Sequence, residues 1–480
     1  MPRPADGDGF DLADICIIYA RSDAAAIPPA LETVLKTDWS VWWDRHLVEG
    51  DYRGGIEAAI RACEVLIPVW SKAATLNAHM HDELEIARKT GVAILPLRID
   101  EASAPMSYGS LQSTDMLGWG GDLDRVELAD FQGRIRTVIE ARRPDHRPKR
   151  LIMNAPVDLP AFFYSVSSHE TRLAPAAALR TLNMFGVETI LASAYDTGPG
   201  APKSLITTLE RRRKRGATIL LDSGNYEKAR RDDKSWTFET FKMALQATPH
   251  DLAFAYDTLD PKGDVDKVAN TAIEAARRTA RLTPAPVIPI VHLPRQRDGD
   301  YRTDMAGSVM RKVAQALAPV MIAIPERELG SGVFDRARTM AAIRAALKGL
   351  GRYQAVHILG AGNPISLALL SAAGADSFDG LEWCRYAFDA EHAQLHHFQL
   401  FELFRYQAEV AESLVASSAA VDPAVSYTTK AVMHNLDFYQ TWLRGLRDAL
   451  RDEKTLVAFL AELLPKGAMT QARAALPGVL

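Results

Sequence analysis

The sequence contains two long series of short apolar segments that alternate with segments of helical periodicity. A fully apolar strand needs cover on both faces, so this alternation predicts an α/β protein with parallel sheets. The two series are separated by a polar, basic stretch at 141–150 that carries two prolines, which is typical of a linker. We therefore expect a first domain over 1–142, a linker over 143–150 and a second domain over 151–480.

The first series predicts a parallel sheet in which helices follow the strands. The strands are expected at 15–20, 40–43, 65–70 and 92–99, and the helices at 24–36, 52–63, 79–90 and 128–142. Within the second strand, Trp42 and Trp43 are adjacent, and successive side chains of a strand point to opposite faces. We expect one of them in the core and the other facing outward.

The second series contains eight strand candidates within about 230 residues, which predicts a (β/α)₈ barrel. They are expected at 161–165, 189–192, 218–221, 252–256, 287–291, 320–324, 355–359 and 377–381. After Glu391 the pattern is helical to the end of the sequence.

Composition favours a cytoplasmic protein that does not enter a membrane. Among its 480 residues there is no uninterrupted apolar run of the length that spans a bilayer, and the first residues lack the apolar core of a signal peptide. Cys16, Cys63 and Cys384 are far apart in sequence, so we expect reduced thiols and no four-cysteine zinc site.

Four short motifs follow one another in the first domain. They are IIYARSD at 17–23, VWWDR at 41–45, GD at 50–51 and VWS at 69–71. In order and spacing they resemble the bacterial TIR domain, over roughly residues 11–142. The resemblance implies a flavodoxin-like fold with a five-stranded parallel sheet, and cleavage of NAD⁺ at its nicotinamide–ribose bond.

The resemblance also implies a set of site residues. The family carries a catalytic glutamate in a Ser-x-Trp-x-x-x-Glu pattern, and Glu83 falls at that glutamate, with His79 where the family has Trp and Asn77 where it has Ser. A carboxylate there stabilises the positive charge that develops on the ribose. The loop 45–53 resembles the family's mobile loop beside the nicotinamide pocket. The substrate-binding candidates around Glu83 are Tyr19, Arg21, Trp43, Asp44 and His79.

The second domain carries a longer ordered series of motifs. They are PAFFYSV at 160–166, LLDSGNYE at 220–227, FAYD at 254–257, LGAGNP at 359–364, GADSFD at 374–379, LHH at 395–397 and MHNLDFY at 433–439. Together they resemble the tRNA-guanine transglycosylase family, from about residue 158 to 452.

This resemblance assigns roles residue by residue. Asp379 matches the carboxylate nucleophile that attacks ribose C1′, and Asp222 matches a carboxylate beside the base that can act as acid or base. Asp257 matches the residue that binds the base edge, and Tyr226 an aromatic residue that stacks on the base. His292 stands where the family has a glutamine that contacts the base.

The departures from the family pattern predict an altered ligand. His434 matches a histidine ligand of the family's zinc, but the sequence has no cysteine cluster beside it, so no zinc is expected. The family's glycine-rich pocket strand is replaced by AIPER at 323–327. Asn225 and Glu227 replace Gly and Gln, and GLEWCR at 380–385 lacks the family's Pro-Thr-Arg.

We interpret the chain as a cytoplasmic NAD⁺ glycohydrolase that assembles through its TIR domain. Its products would be nicotinamide and ADP-ribose, or cyclic ADP-ribose. Its role would be in bacterial antiviral defence. A nucleobase, nucleotide, tRNA or DNA ligand at the barrel would regulate it. Two alternatives remain open: base exchange in RNA or DNA through Asp379, and a non-catalytic TIR signalling scaffold.

Overall fold

In the computed structural model, the chain divides into two units, Met1–Pro148 and Lys149–Leu480. The structure describes residues 13–23, 25–44, 52–143, 145–152, 155–169 and 171–480.

The first unit contains a parallel sheet in the order β2-β1-β3-β5-β6, and β4 also pairs with β3. Its strands are β1 (Ile15–Ile18), β2 (Val41–Trp42), β3 (Val65–Trp70), β4 (Ala93–Ile94), β5 (Leu97–Arg98) and β6 (Thr114–Asp115). Its helices are α1 (Ile27–Leu35), α2 (Tyr52–Ala62), α3 (Lys72–Thr75), α4 (Ala78–Thr90) and α5 (Val126–Arg142). The short pieces β4 and β5 together occupy the single strand predicted at 92–99, interrupted before Pro96, which has no backbone N–H to donate. Counted this way the sheet has five strands, and the predicted fold is confirmed.

The sheet of the first unit separates two apolar cores. One core contains Trp43 and the other contains Trp42, and the two side chains are only 6% and 8% exposed. The expectation that one of these tryptophans faces outward is therefore wrong. A parallel sheet with helices on both faces has no solvent face, so Trp42 at the end of β2 and Trp43 directly after it are both buried, on opposite faces of the sheet.

The second unit opens with an antiparallel hairpin of β7 (Arg150–Ile152) and β8 (Pro156–Asp158). An eight-stranded parallel sheet follows, in the order β13-β12-β11-β10-β9-β16-β15-β14. Its strands are β9 (Ala161–Val166), β10 (Thr189–Ser193), β11 (Thr218–Asp222), β12 (Leu252–Phe254), β13 (Val287–Ile288), β14 (Met321–Pro325), β15 (Ala355–Leu359) and β16 (Ser377–Gly380). A parallel bridge between Ile290 and Ala323 joins the two ends of this order and closes the barrel. The predicted (β/α)₈ architecture is confirmed.

Helices of the second unit surround the barrel, and the barrel interior has a core of its own. The surrounding helices are α6 (Pro175–Met184), α7 (Ala194–Thr197), α8 (Lys203–Lys214), α9 (Asn225–Arg231), α10 (Phe238–Ala247), α11 (Val265–Ala280), α12 (Ala306–Leu317), α13 (Val333–Leu347) and α14 (Pro364–Ala372). The interior core includes Phe163, Leu220 and Phe254 from the strands, with Val157 of the hairpin among them. The hairpin thus contributes to the apolar filling of the barrel.

The chain after the barrel is not wholly helical, contrary to the expectation for residues after Glu391. Helix α15 (Glu382–Arg385) leads into strand β17 (Tyr386–Asp389), which pairs antiparallel with β18 (Gln394–His397). The last helices are α16 (Arg405–Glu409), α17 (Leu414–Val421), α18 (Tyr427–Ala449), α19 (Glu453–Leu463) and α20 (Ala468–Ala475). A four-residue strand such as β18 acquires its conformation from its partner, which sequence periodicity does not report.

His434 has a structural role on helix α18. Its buried ring Nε2 lies 2.8 Å from the carbonyl oxygen of Phe388, which ties the helix to β17. The three cysteines are buried and form no disulfide. Throughout the described ranges, we find no helix with both the length and the apolar character needed to cross a bilayer.

Candidate functional sites

Helix α4 positions Glu83 at the edge of an apolar core. The Asn77 side chain caps the helix by accepting a hydrogen bond from the backbone N–H of His79 at 3.0 Å, and the helix ends at Gly91 in the left-handed conformation. Met80, Leu84 and Ala87 form its buried stripe. Glu83 lies between the turns that carry this stripe, so its side chain is half-buried rather than fully solvated.

The surroundings of Glu83 raise its pKa to about 7. Burial is the largest cause, followed by the negative charges of Asp44 and Asp82. Asp44 lies two residues after the end of β2, with Trp43 between them. Its negative charge is close enough to act on Glu83. A carboxyl group with this pKa is divided between its neutral and ionised forms at neutral pH.

Tyr19 and Trp43 hold Asp44 at the same end of the sheet. The Tyr19 hydroxyl donates a hydrogen bond to Oδ1 of Asp44, and the Tyr19 ring meets the Trp43 ring edge-on, with centroids 5.9 Å apart. The Trp43 indole N–H donates to Glu32 of α1 at 2.9 Å. Trp43 therefore lies in the core beneath Tyr19 and positions it.

The other predicted residues of this site lie at its surface. Arg21 and His79 are exposed, one just after β1 and the other in the first turn of α4. Ser71 donates a hydrogen bond at 2.7 Å to Asp23, which links the ends of two of the sequence motifs. The predicted loop 45–53 falls outside the described residues as far as residue 51.

A second site lies in the barrel, at the ends of the strands where their carbonyl groups point. A cavity of about 300 Å³ opens there. All five of the residues predicted for this domain line it, which are Asp222, Tyr226, Asp257, His292 and Asp379. The topology thus brings together residues that lie up to 157 positions apart in sequence (379 − 222).

Asp379, at the end of β16, is held by three hydrogen-bond donors. Its Oδ2 accepts from the Ser165 hydroxyl at 3.1 Å, and its Oδ1 accepts from the backbone N–H of Gly360 at 3.1 Å. Nε2 of His357 also lies 3.1 Å from Oδ1, and the other ring nitrogen lies 2.9 Å from the Ser377 hydroxyl. A carboxylate fixed in this way is oriented for attack or for binding before a ligand arrives.

Asp257 and His292 form a buried charged network. Nε2 of His292 lies 2.8 Å from Asp257 Oδ2, and Nδ1 lies 2.8 Å from Glu328 Oε1. Burial by itself would lower the pKa of His292, but the two carboxylates outweigh it and raise the pKa to about 9. Both ring nitrogens are therefore occupied by protein groups, as expected of an imidazolium.

The other oxygen of Asp257 is also occupied. Oδ1 accepts from the Ser223 hydroxyl at 2.8 Å and from the Asn225 amide at 2.9 Å. Burial opposes ionisation, yet His292 and then the Asn225 and Ser223 hydrogen bonds bring the pKa of Asp257 below its ordinary value. Asn225, one of the departures from the family pattern, is thus part of the network that fixes this carboxylate.

Asp222 has the opposite electrostatic character. Burial, then the carboxylates of Glu227 and Asp257, raise its pKa well above the ordinary value. Glu227 is buried and accepts a hydrogen bond from the Ser167 hydroxyl at 2.8 Å. Asp222 therefore holds a proton that it can give to a ligand, next to the fixed carboxylate of Asp379.

The turn after Asp222 requires glycine. Gly224 has a φ of 73°, and a Cβ atom there would lie 2.8 Å from the Trp236 ring. The following Tyr226 is 37% exposed, with the Arg230 guanidinium 5.2 Å from its ring centroid. The His169 ring also meets the Tyr226 ring edge-on, with centroids 5.8 Å apart, so Tyr226 presents a partly exposed ring at the cavity.

Sequence reasoning missed several residues of this site. His357, Glu328 and Ser165 were not singled out, although all three are buried and hydrogen-bonded to predicted residues. A signal existed for His357, because it is a polar side chain in the middle of the apolar segment AVHIL. Glu382 also lines the cavity. The sequence points to it only as a member of the segment 380–385, which differs from the family pattern.

Comparisons with known proteins agree with this two-part architecture. Residues 15–130 match the family model described as TIR domain. Over 312 residues the chain is 23% identical to tRNA-guanine(15) transglycosylase of Haloferax volcanii, an alignment that covers 62% of this chain and 58% of that protein. The chain thus spans somewhat over half the length of this curated relative. Residues 15–130 are a TIR domain, and the barrel that follows is transglycosylase-like.

Proposed function

We propose that the TIR domain cleaves NAD⁺ at its nicotinamide–ribose bond, with Glu83 as the catalytic carboxylate. The observation that carries this proposal is the half-buried carboxyl of Glu83, with its pKa raised to about 7 beside Asp44. Such a group ionises when a cation approaches, and the nicotinamide ring of NAD⁺ carries a positive charge. The substrate itself therefore favours the form of Glu83 that the reaction needs.

The chemistry requires little more than a well-placed negative charge. The bond between ribose C1′ and the nicotinamide nitrogen breaks, and its electron pair neutralises the ring nitrogen. Positive charge develops on the ribose, where the Glu83 carboxylate stabilises it. Water then adds to C1′ and loses a proton, which leaves ADP-ribose. Attack by an atom of the same molecule would give cyclic ADP-ribose.

We assign the barrel a regulatory role as the binding site for a nucleobase, nucleotide, tRNA or DNA. Its cavity combines the partly exposed ring of Tyr226 with hydrogen-bonding carboxyl groups, a composition that suits a flat heterocycle. In this proposal the chain acts in the cytoplasm of a bacterium as an antiviral defence effector. Ligand binding promotes self-association through the TIR domain and thereby NAD⁺ cleavage.

The test is nicotinamide release from NAD⁺ by purified protein, followed by chromatography. Wild type and Glu83→Gln are compared from dilute to concentrated protein, with and without nucleobases, tRNA or extract of phage-infected cells. Glu85→Gln is the control, because Glu85 lies on the same helix and pairs with Arg88 at 2.6 Å. Release by wild type and Glu85→Gln but not by Glu83→Gln supports the proposal. Absence of release under every condition, with ligand-dependent oligomers, would favour a non-catalytic scaffold instead.

A second candidate function is base exchange at the barrel. It is favoured by the position of Asp379 and Asp222 in one cavity, the first held by three donors and the second with a raised pKa. Asp379 would attack C1′ as the base leaves with a proton from Asp222, and an incoming base would reverse the step. Incorporation of labelled guanine into RNA or DNA, lost in Asp379→Asn, would establish this activity.

A further inference from the structure

Glu382 has a buried oxygen atom without a partner at the wall of the barrel cavity. It is the first residue of α15, three positions after Asp379, and it lines the cavity. Its Oε2 atom is sealed from solvent and has no hydrogen-bond partner among the described residues. Buried polar atoms in folded proteins are almost always satisfied, and a buried carboxylate oxygen without a donor is unfavourable, so this sealed oxygen favours a neutral carboxyl group at the cavity wall.

Two glycines make the space that this carboxyl group occupies. A Cβ atom at Gly362 would lie 2.1 Å from Glu382 Oε2, and a Cβ atom at Gly380 would lie 2.2 Å from it. Neither glycine has a positive φ, so their backbone conformations do not require glycine. The absence of side chains at these two positions is explained by the carboxyl group that they accommodate.

The groups around Glu382 favour its neutral form. Burial raises its pKa to about 7. The residue's own backbone N–H and then Arg385 of its own helix oppose this effect, and the charges of Asp379 and Glu326 add to it. Among the described residues, Cys384 of α15 and Tyr439 of α18 also interact with Glu382, and burial raises the pKa of the Cys384 thiol and of the Tyr439 phenol. The Tyr439 hydroxyl donates to the carbonyl of Gly362 at 2.5 Å, so it does not satisfy Glu382.

The position of Glu382 around the barrel separates it from the groups expected to face the base. It follows β16, whereas Tyr226, whose ring is the one expected to stack on a base, follows β11, and the strands β10 and β9 lie between them. Asp379, the group expected to face ribose C1′, also lies on β16. A nucleoside that places its sugar against Asp379 therefore places the same sugar beside Glu382.

We propose that Glu382 is a ligand-binding residue that donates a hydrogen bond from its neutral carboxyl group to the ribose ring oxygen of a nucleoside in the cavity, an acceptor that has no proton of its own. This role rests on the proposed function of the barrel as a nucleobase or nucleotide site. In this role the neutral form of Glu382 recognises the sugar, and binding of the nucleoside therefore depends on pH. Ionised Glu382 has no proton to donate, so affinity for a nucleoside falls as pH rises through neutrality, whereas affinity for a free base does not.

The experiment measures binding of guanosine and of guanine by the full-length protein, using titration calorimetry at about pH 6 and about pH 8. We expect wild type to lose roughly tenfold in guanosine affinity between the two pH values, the worth of one hydrogen bond. Glu382→Gln keeps a donor that does not titrate, so its guanosine affinity stays constant with pH. Glu382→Ala binds guanosine about tenfold more weakly than wild type at the lower pH, yet binds guanine like wild type.

The control variant is Glu391→Gln, an exposed position on the turn between β17 and β18, which should bind as wild type does. Thermal unfolding of each variant verifies that it is folded. If guanosine binds but all variants share one affinity and one pH dependence, the role of Glu382 is overturned and the nucleobase site stands. If wild type binds neither guanosine nor guanine, the proposed nucleobase site itself fails, and the role of Glu382 fails with it.

Discussion

Nε2 of His357 lies 3.1 Å from Oδ1 of Asp379, and both side chains are buried in the barrel. The second ring nitrogen of His357 lies 2.9 Å from the Ser377 hydroxyl. The imidazole ring also packs edge-on against Phe254, with centroids 5.3 Å apart. One histidine therefore connects the orientation of the candidate nucleophile to the apolar interior of the barrel.

Replacement of this histidine should destabilise the barrel. In His357→Ala a cavity forms and the Asp379 carboxylate loses a partner, so we expect the free energy of unfolding to fall by about 3 kcal/mol. Ser377→Ala removes only the hydroxyl beside the other ring nitrogen of His357 and should cost about 1 kcal/mol. Urea unfolding of both single variants and of the double variant measures the coupling. Additive losses would show that the hydrogen bond between His357 and Ser377 contributes nothing.

The pH dependence of NAD⁺ cleavage should report the ionisation of Glu83. Since the ionised form stabilises the ribose cation, the rate at low substrate concentration should rise with pH, with an apparent pKa near 7. The negative charge of Asp44 raises this pKa, so Asp44→Asn should move the midpoint to lower pH. The control Glu85→Gln should keep the midpoint of wild type. A midpoint that is the same in wild type and Asp44→Asn would contradict the electrostatic coupling.

The stability of the barrel should fall as pH rises above neutrality. The pKa of His292 is raised in the folded state to about 9 from 6.5, so its contribution is fully present below pH 6.5 and lost as pH rises through 9. This difference corresponds to roughly 3 kcal/mol. The pKa of Asp257 is lowered, so its contribution acts in the other direction and is lost in acid.

The matched variant is His292→Gln, which retains a polar side chain but does not titrate. Thermal unfolding from about pH 6 to about pH 10 should show a falling midpoint for wild type and a flatter profile for the variant. The two profiles should converge at high pH, where wild-type His292 is neutral. Parallel profiles would show that His292 is not charged in the folded protein.

Much of this architecture could be predicted from the sequence because its strands are apolar throughout. Strand β3 lies at the predicted 65–70, and each of the eight barrel strands overlaps its predicted segment. Strands β6, β8, β17 and β18 were not predicted, because they are two to four residues long and such short strands depend on their partners. The prediction that one of Trp42 and Trp43 faces solvent was wrong. Their side chains do point to opposite faces of the sheet, but both faces are covered by the rest of the domain.

The residues that line the barrel cavity could be predicted from the sequence, because their types and positions indicate their roles, but their hydrogen-bond partners could not. All five of the predicted residues line one cavity, yet the sequence could not show that Asp257 and His292 satisfy each other. It also gave no sign that Glu328, which is far from them in sequence, completes their network. Hydrogen bonds between distant side chains are a property of the fold, so ligand contacts inferred from type and position must be revised once partners are known.

The glycine positions beside Glu382 provide a test of the cavity wall that does not depend on any ligand. In Gly380→Ala the new Cβ would lie 2.2 Å from Glu382 Oε2, which forces the carboxyl group to move and should cost about 1–3 kcal/mol of unfolding free energy. The double variant Gly380→Ala, Glu382→Ala removes both the clash and the unpartnered oxygen. It should therefore be more stable than the sum of the two single changes predicts, by at least about 1 kcal/mol.

Gly445→Ala on α18 is the control, because the nearest atom to its Cβ is 3.7 Å away. Urea unfolding is measured for wild type and for the four variants, and strict additivity would mean that the Glu382 carboxyl does not occupy the space between the glycines.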